Sequence, residues 1–538
     1  MDVSLSVKMK DEGESTSLTS AQTQSETSRR RNRYQLLPAA MASRRLRAFK
    51  RWMKHQGIEC SDALSLTDSD QQGISVIALC DLHANDVVAT IPKSACLTIQ
   101  TSGAREMIES AGLDGHLGLA VAVMYEISLG EQSPWAGYLQ LLPEKEEGVP
   151  LVWTLDEVDF MLCGTELHKT VREDKGLVFE DWKECIWPLA TSSFSNVNLD
   201  FFGVEKYFAA KTLVSSRLFE IDDFHGFGMV PLADLFNHKT GAEDVHFTLS
   251  PSLSDSDSAS EKHGDTHIEE QSSSDVMESR EEDIDDDMGS PLTTESDDSI
   301  LLEMILVKDV ISGSEVFNTY GTLSNAALLH RYGFTEANNP YDIVNIDLEL
   351  VRQSTSSLYT ERYMRSRVAL WKRLDLARLE TEYFEISSEG QPELELLILL
   401  YIISLPEEVN YLLELATSTG DASNKAKVEN LPKECALIFK TRQETSTKLQ
   451  TGRVCDALLS IANLRETLYN SDSLQKDLEV MKTYCPNRDR KRYHSLMLRI
   501  SERNILHKLR LYAAAGKAST CHIKTPKRSS SRKKRKRA

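Results

Sequence analysis

Apolar and polar positions recur along this chain with two different periods. The segment "SRRLRAFKRWMKHQG" (residues 43–57) places apolar residues at helical spacing and predicts an amphipathic helix at the start of the ordered region. The runs at 74–82 and 86–92 are rich in β-branched residues and predict two strands, separated by the turn "HAN". The segment "LGLAVAVMYEISLG" then predicts a helix.

Strand patterns return further along and then give way to helices. The segments "GMVPLADLF" (228–236), "SILLEMILVKDV" (299–310) and "SEVFNTYG" (314–321) predict strands. From about residue 350 onward, leucine-rich pieces with few Gly or Pro breaks predict a separate all-helical domain. The run "LLILLYIISL" is about half the length of a membrane span and stops at Pro406, so it predicts a buried helix.

Charge divides the chain further. At 538 residues and 41% hydrophobic, the chain can bury a large core in two or three domains. Of its net charge of −20, residues 251–300 contribute 17 acidic against 2 basic side chains, whereas residues 524–538 carry 9 basic and none acidic. Such blocks predict disorder. The expected organisation begins with a disordered arm at 1–42 and a mixed domain at 43–349. That domain contains a helical insertion at about 100–215 and an acidic disordered loop at about 251–299. A helical domain at 350–515 and a basic tail at 516–538 follow.

Cysteine use and the termini exclude several classes of protein. Nine cysteines without a C-x-x-C pair suggest neither a disulfide framework nor a zinc ribbon, which favours a reducing intracellular compartment. The N-terminus has no secretory or transit pattern, and no membrane association is expected. The grouping of His225, Asp234 and His238 matches no ligand spacing, so we expect no metal site.

The stretch "GMVPLADLFNHKTG" (228–241) contains the strongest candidate site. Its apolar run ends in the adjacent polar pair Asn237 and His238, whose side chains are costly to bury without partners. Two interpretations are open: a satisfied turn at the end of a strand, or a binding site.

Three segments in this order, "QQGISVIA" (71–78), "PLADLFNH" (231–238) and "VFNTYGTLSNAALLHRYGF" (316–334), resemble SET-domain protein methyltransferases. More narrowly, they resemble the branch of the Rubisco large-subunit and ribosomal-protein lysine methyltransferases. The resemblance covers roughly residues 43–515, and "RYHSLMLRISERNILHKL" (492–509) resembles the end of that family's helical domain. It implies an α+β fold: a SET-domain β-fold with a knot-like core and a helical insertion, followed by an all-α C-terminal substrate-binding domain.

The resemblance also implies a function. It indicates an S-adenosylmethionine-dependent protein-lysine N-methyltransferase acting on a non-histone protein, ribosomal or nuclear. A catalytically silent SET-like scaffold that binds peptides, and a protein-histidine methyltransferase, are the alternatives. The scaffold alternative rests on Ser75, which stands where the family has a second glycine, and the resemblance ties Tyr332 to members that accept lysine.

The residues implied to contact the cofactor come from all three segments and one helix: Gln72, Gly73, Ile74, Ser75, Arg217, Asn237, His238 and Tyr320. Arg217 matches the arginine that reaches the cofactor carboxylate, for which a forked guanidinium is suited. Its alternative role is an ordinary ion pair.

Tyr320 is the residue implied to be catalytic. Methyl transfer is an in-line displacement, so catalysis consists mainly of aligning donor and acceptor in a narrow channel. The alternative for Tyr320 is an ordinary buried tyrosine. Tyr332 and Phe334 match the aromatic wall around the substrate lysine, where they can hold its ammonium stem, or they are plain core residues. The lysine must lose a proton before it reacts, and desolvation lowers its pKa.

The basic tail "KTPKRSSSRKKRKRA" (524–538) predicts a nuclear-localisation signal read by an import receptor, and hence a nuclear protein. A nucleic-acid tether, weak because the tail has no aromatic residues, and a merely solvated tail are the alternatives. The acidic insertion is a soluble linker or a region that attracts a basic substrate. The expected partner is a protein with an accessible lysine, and the chain is expected to be a monomer.

Overall fold

The computed structural model describes residues 43–69, 73–192, 197–249, 301–373, 383–418, 446–469 and 473–522. All of these residues belong to one compact unit. The predicted arm at 1–42, the acidic loop, Gln72 and the tail beyond residue 522 lie outside the described residues.

The first part of the fold is a set of short strands interrupted by helices. Its strands are β1 Glu59–Cys60, β2 Leu64–Ser69, β3 Gly73–Ala78, β4 Val87–Pro92, β5 Leu97–Thr98, β6 Leu218–Asp222, β7 Gly226–Met229, β8 Val245–Leu249 and β9 Leu301–Leu306. Its helices are α1 Arg44–His55, α2 Arg105–Ser110, α3 Gly115–Leu129, α4 Ala136–Leu139, α5 Leu155–Met161, α6 Leu167–Asp181, α7 Trp187–Thr191, α8 Val204–Arg217 and α9 Asn325–Tyr332. The helices α2 to α8 form the insertion between β5 and β6.

These strands pair into three small antiparallel sheets with the orders β1-β4-β9-β8, β5-β7-β6 and β2-β3. The pairing of β4 with β9, in which Thr90 lies opposite Glu303, joins segments more than 200 residues apart in sequence. The helical insertion leaves the sheets after β5 and returns at β6, because both strands pair with β7. The insertion is thereby anchored beside the strand that leads into the Asn237–His238 pair.

The second part is mostly helical. Its elements are β10 Ile343–Asp347, α10 Leu348–Thr355, α11 Glu361–Arg373, β11 Tyr383–Ser387, α12 Leu394–Ser404, α13 Glu407–Ser418, α14 Ser446–Leu449, α15 Gly452–Glu466, α16 Leu474–Met481 and α17 Arg490–His522. The predicted helical C-terminal region is confirmed, but it also contains β11, which pairs with β10. Helix α17 extends seven residues past the predicted limit of 515.

Local sequence explains why several helices begin and end where they do. The Ser43 hydroxyl accepts a hydrogen bond from the Leu46 N–H at 3.2 Å and caps α1, whose apolar face is buried. In α9 the Ser324 hydroxyl is the N-cap, and Gly333 ends the helix with φ at 76°. Helix α12 is apolar all round and buried, as predicted, and it ends just before Pro406.

Two large hydrophobic cores fill the two parts. The first extends from Leu46 in α1 to Val316, and the second from Val344 in β10 to Ala513 in α17. A smaller cluster around Trp153 brings residues of α5 and α6 together with Leu329 of α9 and Leu498 of α17. The C-terminal helix therefore packs directly against both the insertion and the helix that follows Tyr320.

The strand predictions for residues 228–236 and 314–321 were wrong in part. The strand predicted over 228–236 ends at Met229, because the chain turns at Leu232 (φ 78°) and forms a short 3₁₀ helix at Ala233–Leu235. The segment 314–321 is not a regular strand. It makes only single bridges, with Glu315 opposite Ile77 and Asn318 opposite His238. Both departures lie where the chain approaches the candidate site.

Across the described ranges, no single helix is both long and apolar enough to cross a membrane. The pair Leu394–Ser404 and Glu407–Glu414 meets the criteria of length and composition only together, and the two helices are bent by 118°.

Candidate active site

Two chain segments lie side by side at the centre of the site. The Asn318 N–H donates to the Asn237 carbonyl at 2.9 Å, in a parallel bridge between His238 and Asn318. Asp244 anchors the second segment, since its carboxylate accepts from the Phe317 N–H at 2.8 Å. Backbone hydrogen bonds thus hold the "FNH" and "FNTY" segments side by side in a fixed register.

The Asn237 side chain has partners within the protein. Its amide nitrogen donates to the Ile74 carbonyl at 3.1 Å and to the Glu315 carboxylate at 2.7 Å. Because Ile74 belongs to β3, this half-buried amide ties the hairpin β2-β3 to both central segments. The cost of placing it at the end of an apolar run is therefore offset.

His238 is fixed in one tautomer by its neighbours. Its Nδ1 accepts a hydrogen bond from the Tyr320 N–H at 3.0 Å, which assigns the proton to Nε2. Nε2 lies 3.2 Å from the Thr240 hydroxyl and 4.0 Å from the Glu336 carboxylate. Burial lowers the pKa of His238, although Glu336 opposes this effect. A neutral imidazole therefore holds the backbone of Tyr320.

Three rings gather around that of Tyr320. The centroid of its ring is 5.0 Å from that of His238 and 4.5 Å from that of Tyr332, in stacked arrangements. Phe334 lies 6.2 Å from Tyr332 and 6.1 Å from His238. The Tyr320 hydroxyl donates to the Phe236 carbonyl at 3.2 Å. Burial raises the pKa of Tyr320, so the phenol keeps its proton at neutral pH.

The turn before this cluster is strained. Leu232 is fully buried and has φ at 78° and ψ at −46°, a backbone conformation that residues other than glycine rarely adopt. Such strain persists only where surrounding structure imposes it, and it is often found at functional sites. Here it redirects the chain from β7 so that Phe236, Asn237 and His238 face the Tyr320 segment. The sequence carried no signal for it, because leucine is not a turn residue.

Arg217 lies in an ion-pair network next to Tyr320. Its Nη2 is 2.5 Å from the Glu146 carboxylate, and its Nε is 3.7 Å from that of Asp234. Nη1 donates to the Ser216 hydroxyl at 2.7 Å. The ion pair considered as an alternative role is thus present. A guanidinium has five N–H groups, so one arginine can bind more than two acceptors. Contact between Arg217 and a cofactor carboxylate stays a prediction.

The role of Asp234 was not predicted from the sequence. The Tyr138 hydroxyl donates to Asp234 Oδ2 at 2.6 Å, and Oδ1 is buried without a hydrogen-bond partner among the described residues. Burial raises the pKa of Asp234 to about 6, although Arg217 lowers it. A carboxylate inside the apolar run "PLADLF" was the available signal, and it was considered only as a metal ligand.

The hairpin β2-β3 leaves room for a ligand at Gly73. Its φ is 75°, and among the described residues other than its chain neighbours none has an atom within 4 Å of the position a Cβ would take. Only glycine adopts this conformation without strain, and the open space allows close approach to the backbone. Ser75 is buried, with its hydroxyl 2.7 Å from that of Thr67 in the paired strand. Serine at this position is therefore accommodated within the hairpin.

A contact between two glycines joins the Arg217 side of the site to the aromatic side. A Cβ on Gly148 would lie 2.5 Å from the Gly333 carbonyl oxygen, and one on Gly333 would lie 2.6 Å from the Gly148 carbonyl carbon. Gly148 is two residues from Glu146, which holds Arg217, and Gly333 separates Tyr332 from Phe334. Backbone packing between Gly148 and Gly333 therefore sets the distance between the Arg217 ion-pair network and the aromatic rings.

Replacing Gly148 by Ala is expected to destabilise the protein by about 1 to 3 kcal/mol, because the added methyl group must displace the Gly333 backbone. Any methyl-transfer rate should fall with it, because Tyr332 and Phe334 move. Chemical denaturation and a steady-state assay measure the two effects. Gly176→Ala in α6 is the control, since outside its own helix backbone no described residue has an atom within 4 Å of the added Cβ. Equal stability of the two variants would contradict this account of the glycine contact.

Helix α17 braces the segment that follows the aromatic cluster. His494 Nδ1 accepts from both the N–H and the hydroxyl of Thr335, each at 3.0 Å. Burial lowers the pKa of His494 to about 4. The same helix places Ser501 on Asp342, which in turn accepts from the Asn325 amide at 2.8 Å. The two hydrogen bonds that His494 Nδ1 accepts require a neutral imidazole.

The fold is expected to lose stability as pH falls. Because the folded-state pKa of His494 lies below its unfolded value of about 6.5, the unfolded chain binds more protons between these values. The contribution of His494 to the free energy of unfolding begins to fall near pH 6.5, and the loss reaches about 2 kcal/mol at pH 5. Urea unfolding at both pH values measures it. His494→Asn keeps an acceptor near the Nδ1 position but cannot titrate, so an unchanged pH slope in this variant would contradict the assignment.

A cavity of about 750 Å³ lies between α6 and α8, and its lining includes Lys175, Phe179 and Phe208. None of the predicted site residues lines it. In the part of the chain that the structure describes, no group of three or more His, Cys, Asp or Glu side chains could hold a metal ion.

Comparison with known proteins finds similar chains. Residues 360–506 match the protein family described as Rubisco LSMT substrate-binding. The chain is 24% identical over 379 residues to ribosomal lysine N-methyltransferase 3 of Saccharomyces cerevisiae, covering 61% of this chain and 68% of that protein. It is also 24% identical over 346 residues to N-lysine methyltransferase setd6 of Xenopus laevis, covering 61% and 65%. The matches thus span about two thirds of these relatives.

Solved structures share the fold over most of the chain. The SET domain of LSMT bound to lysine and AdoHcy superposes with a TM-score of 0.60 at 18% identity, covering 89% of this chain and 92% of that one. Rubisco LSMT bound to AdoMet gives a TM-score of 0.58 at 17% identity, with coverages of 89% and 94%. The predicted fold class and the resemblance to this branch are confirmed.

Proposed function

We propose that this chain is an S-adenosylmethionine-dependent protein-lysine N-methyltransferase of the Rubisco LSMT and ribosomal-protein lysine methyltransferase branch. Its relatives are named as lysine methyltransferases, and its structural neighbours bind AdoMet, AdoHcy and lysine. The observation that carries the proposal is the position of the Tyr320 hydroxyl on the Phe236 carbonyl, within a wall of three further rings. We infer that this apolar arrangement, with its few oxygen atoms, is one wall of the channel in which donor and acceptor are aligned.

The described residues fit the cofactor. Open space beside the Gly73 backbone admits a ligand, and Arg217 supplies a cation for a carboxylate. Asn237, His238 and Tyr320 would contribute further contacts to it. AdoMet, when bound, supplies an electrophilic methyl group on its sulfonium. Within the site, Glu146 and Asp234 keep the guanidinium of Arg217 oriented.

Tyr320 acts by its position and its dipole. Its phenol stays protonated and donates to the Phe236 carbonyl, so its oxygen lone pairs are held in a fixed direction. Together with backbone carbonyl oxygens, they can make weak C–H···O contacts with a polarised methyl group. Each contact is small, and the effect depends on several converging on one point. The His238 hydrogen bond to the Tyr320 N–H fixes the backbone from which the ring projects.

Tyr332 and Phe334 would receive the substrate lysine. Their rings, with those of Tyr320 and His238, offer faces on which an ammonium stem can pack by cation–π contact. The same apolar surroundings disfavour the charged ammonium and lower the lysine pKa, which frees the lone pair for attack. Burial raises the pKa of Tyr332 as well, so no phenolate forms that would hold the lysine as an ion pair.

The substrate is proposed to be a non-histone protein, ribosomal or nuclear, since one relative is named for ribosomal lysine methylation. Comparing methylated peptides by mass spectrometry, in cells with the wild-type chain and in cells with the Tyr320→Phe variant, tests this. Methyl-lysine sites that disappear with Tyr320→Phe identify the substrate. Loss of methyl-histidine sites instead would favour the histidine alternative, and an unchanged methylome would favour the silent scaffold.

A nuclear location, through an import receptor that binds the tail, is a further proposal. Its support is the run "RKKRKR" at residues 532–537. At 60.5 kDa plus a fluorescent tag, the chain should enter nuclei slowly without a signal. Truncation after His522 should shift a fluorescent fusion toward the cytoplasm and leave methyl transfer to a short peptide intact. A truncated fusion that is as nuclear as the full chain would contradict the proposal.

A further inference from the structure

Helix α1 presents an unusual concentration of positive charge. Its twelve residues include six lysines and arginines and no acidic residue, in a chain whose net charge is −20. Four of these side chains, Arg44, Arg47, Lys50 and Arg51, line an open groove of about 520 Å³, and we call them the α1 basic face. Arg45 points elsewhere, since its guanidinium is paired with Asp68 at 2.6 Å.

The α1 basic face is held rigidly by the opposite side of the helix. Leu46, Phe49 and Met53 are buried in the first hydrophobic core. Trp52 donates from Nε1 to the Pro134 carbonyl at 2.7 Å and packs so closely on Gly137 that a Cβ there would lie 2.3 Å from it. The apolar side of α1 is therefore used inside the protein, and the helix cannot insert it into a lipid bilayer.

Helix stability does not explain this arrangement. The N-terminus of a helix carries partial positive charge from the backbone dipoles, which favours acidic side chains in the first turn. Helix α1 instead begins with Arg44, Arg45 and Arg47 and has no acidic residue there. Repulsion among Arg44, Lys50 and Arg51 adds to the same unfavourable effect. An anionic partner would relieve both, so the arrangement indicates a ligand that carries several negative charges.

The spacing of the charges suits a phosphate backbone. At 1.5 Å per residue, Arg44 and Arg51 are separated by about 10 Å along the helix axis. Stacked nucleotides advance by about 3.4 Å per strand, so the face spans about three phosphates. We propose that the α1 basic face binds the phosphate backbone of a nucleic-acid strand. Guanidinium groups bind phosphate oxygens in bidentate geometry, which suits the three arginines of the face.

This binding would be independent of base sequence. Phe49 is buried and Trp52 is held against Gly137, so neither aromatic ring of α1 is available to stack on a base. Contacts would then be to phosphates alone, and affinity should depend strongly on salt. The proposal goes beyond methyl transfer and does not depend on it, because none of the four residues lies in the candidate active site.

The test uses the full-length chain and a fluorescein-labelled 20-nucleotide RNA of mixed sequence, with binding measured by fluorescence anisotropy. The variant Arg44→Gln/Lys50→Gln/Arg51→Gln should bind roughly tenfold or more weakly than wild type at 50 mM salt. Its plot of log affinity against log salt should be shallower by about 2, at about 0.7 for each lost phosphate contact. Because both proteins keep the same basic termini, the difference between them reports on α1.

A matched variant removes the same charge elsewhere. Arg362→Gln/Lys372→Gln/Arg373→Gln, at exposed positions of α11, should bind RNA within about twofold of wild type. Circular dichroism establishes that both variants are folded. Photo-crosslinking of a thiouridine-labelled RNA should attach it to a peptide from residues 43–56. Equal weakening by the two triple variants, or an α1 effect seen on phosphatidylserine vesicles but not on RNA, would overturn the proposal.

Discussion

Replacing Tyr320 by Phe is expected to reduce kcat for methyl transfer by about a hundredfold, with AdoMet affinity within a few-fold of wild type. The ring stays in place, because its contacts with His238 and Tyr332 do not involve the hydroxyl. What is lost is the oxygen that the Phe236 carbonyl orients. Single-turnover kinetics measures the chemical step, and calorimetry measures cofactor binding.

A conservative variant at a comparable ring controls for this result. Tyr341→Phe removes a hydroxyl from a side chain that is 40% exposed, and it should leave kcat unchanged. If Tyr320→Phe retains full kcat, the hydroxyl is an ordinary buried group, as the alternative interpretation holds. If its AdoMet affinity falls in parallel with kcat, the hydroxyl serves binding rather than alignment.

Replacing Arg465 by Met is expected to lower the free energy of unfolding by about 3 to 5 kcal/mol. Arg465 lies in α15 and is buried, with Nη2 at 3.0 Å from the Glu166 carboxylate and 3.5 Å from that of Glu502. It also donates to the Gly164 carbonyl at 2.5 Å. Methionine would fill the volume but would leave the half-buried Glu166 carboxylate and the buried Glu502 carboxyl group without their cationic partner. Urea denaturation followed by circular dichroism measures the loss.

This cluster joins the helical insertion to the C-terminal helices, which is why its removal should affect the whole fold. Glu166 precedes α6, Glu502 belongs to α17, and the Tyr469 hydroxyl donates to Glu502 at 2.8 Å. Burial raises the pKa of Glu502 to about 8 even though Arg465 lowers it. At neutral pH this carboxyl therefore takes up a proton on folding, and more completely once Arg465 is gone. Adding Glu502→Gln to Arg465→Met should recover part of the lost stability, because glutamine needs no such proton uptake.

An exposed arginine provides the comparison. Arg365 is 70% exposed and pairs with Glu361 at 3.3 Å along one face of α11. Arg365→Met should cost no more than about 0.5 kcal/mol, because solvent screens such pairs. A similar loss for the two arginine variants would show that the Arg465 cluster does not hold the two parts together.

Segments with a strong apolar period were predicted well from sequence. Helix α1, helix α3 and the buried helix α12 appear where the spacing of apolar residues placed them. Strand β4 likewise matches its predicted run, and strand β9 occupies residues 301–306 of the predicted run 299–310. In these segments local pattern and tertiary environment agree, so the pattern alone is sufficient.

Predictions failed where tertiary contacts override local pattern. The run 228–236 has the composition of a strand, but the buried turn at Leu232 ends the strand at Met229. Strand β11 is five residues long and forms by pairing with β10, a partner that no local signal identifies. The close contact of Gly148 with Gly333 joins residues 185 positions apart. Each of these features depends on packing between distant segments.

The candidate site was predictable as a set of motifs, but its internal chemistry was not. The order of the "DLFNH" and "NTYG" segments indicated that Asn237, His238 and Tyr320 would meet. That the His238 ring accepts the Tyr320 N–H, and that Tyr138 bonds to Asp234, follows only from the folded arrangement. Hydrogen-bond partners are set by three-dimensional proximity, which spacing along one chain does not encode.

The most direct test of the central claim is label transfer. The purified full-length chain is incubated with AdoMet carrying a tritiated methyl group and with protein extract from cells that lack the chain. The labelled protein is then hydrolysed to amino acids. We expect the tritium in methylated lysine, and we expect the label to be nearly absent when Tyr320→Phe replaces the wild-type chain. Tritium in methylated histidine, or equal labelling by the wild-type chain and the variant, would contradict the account.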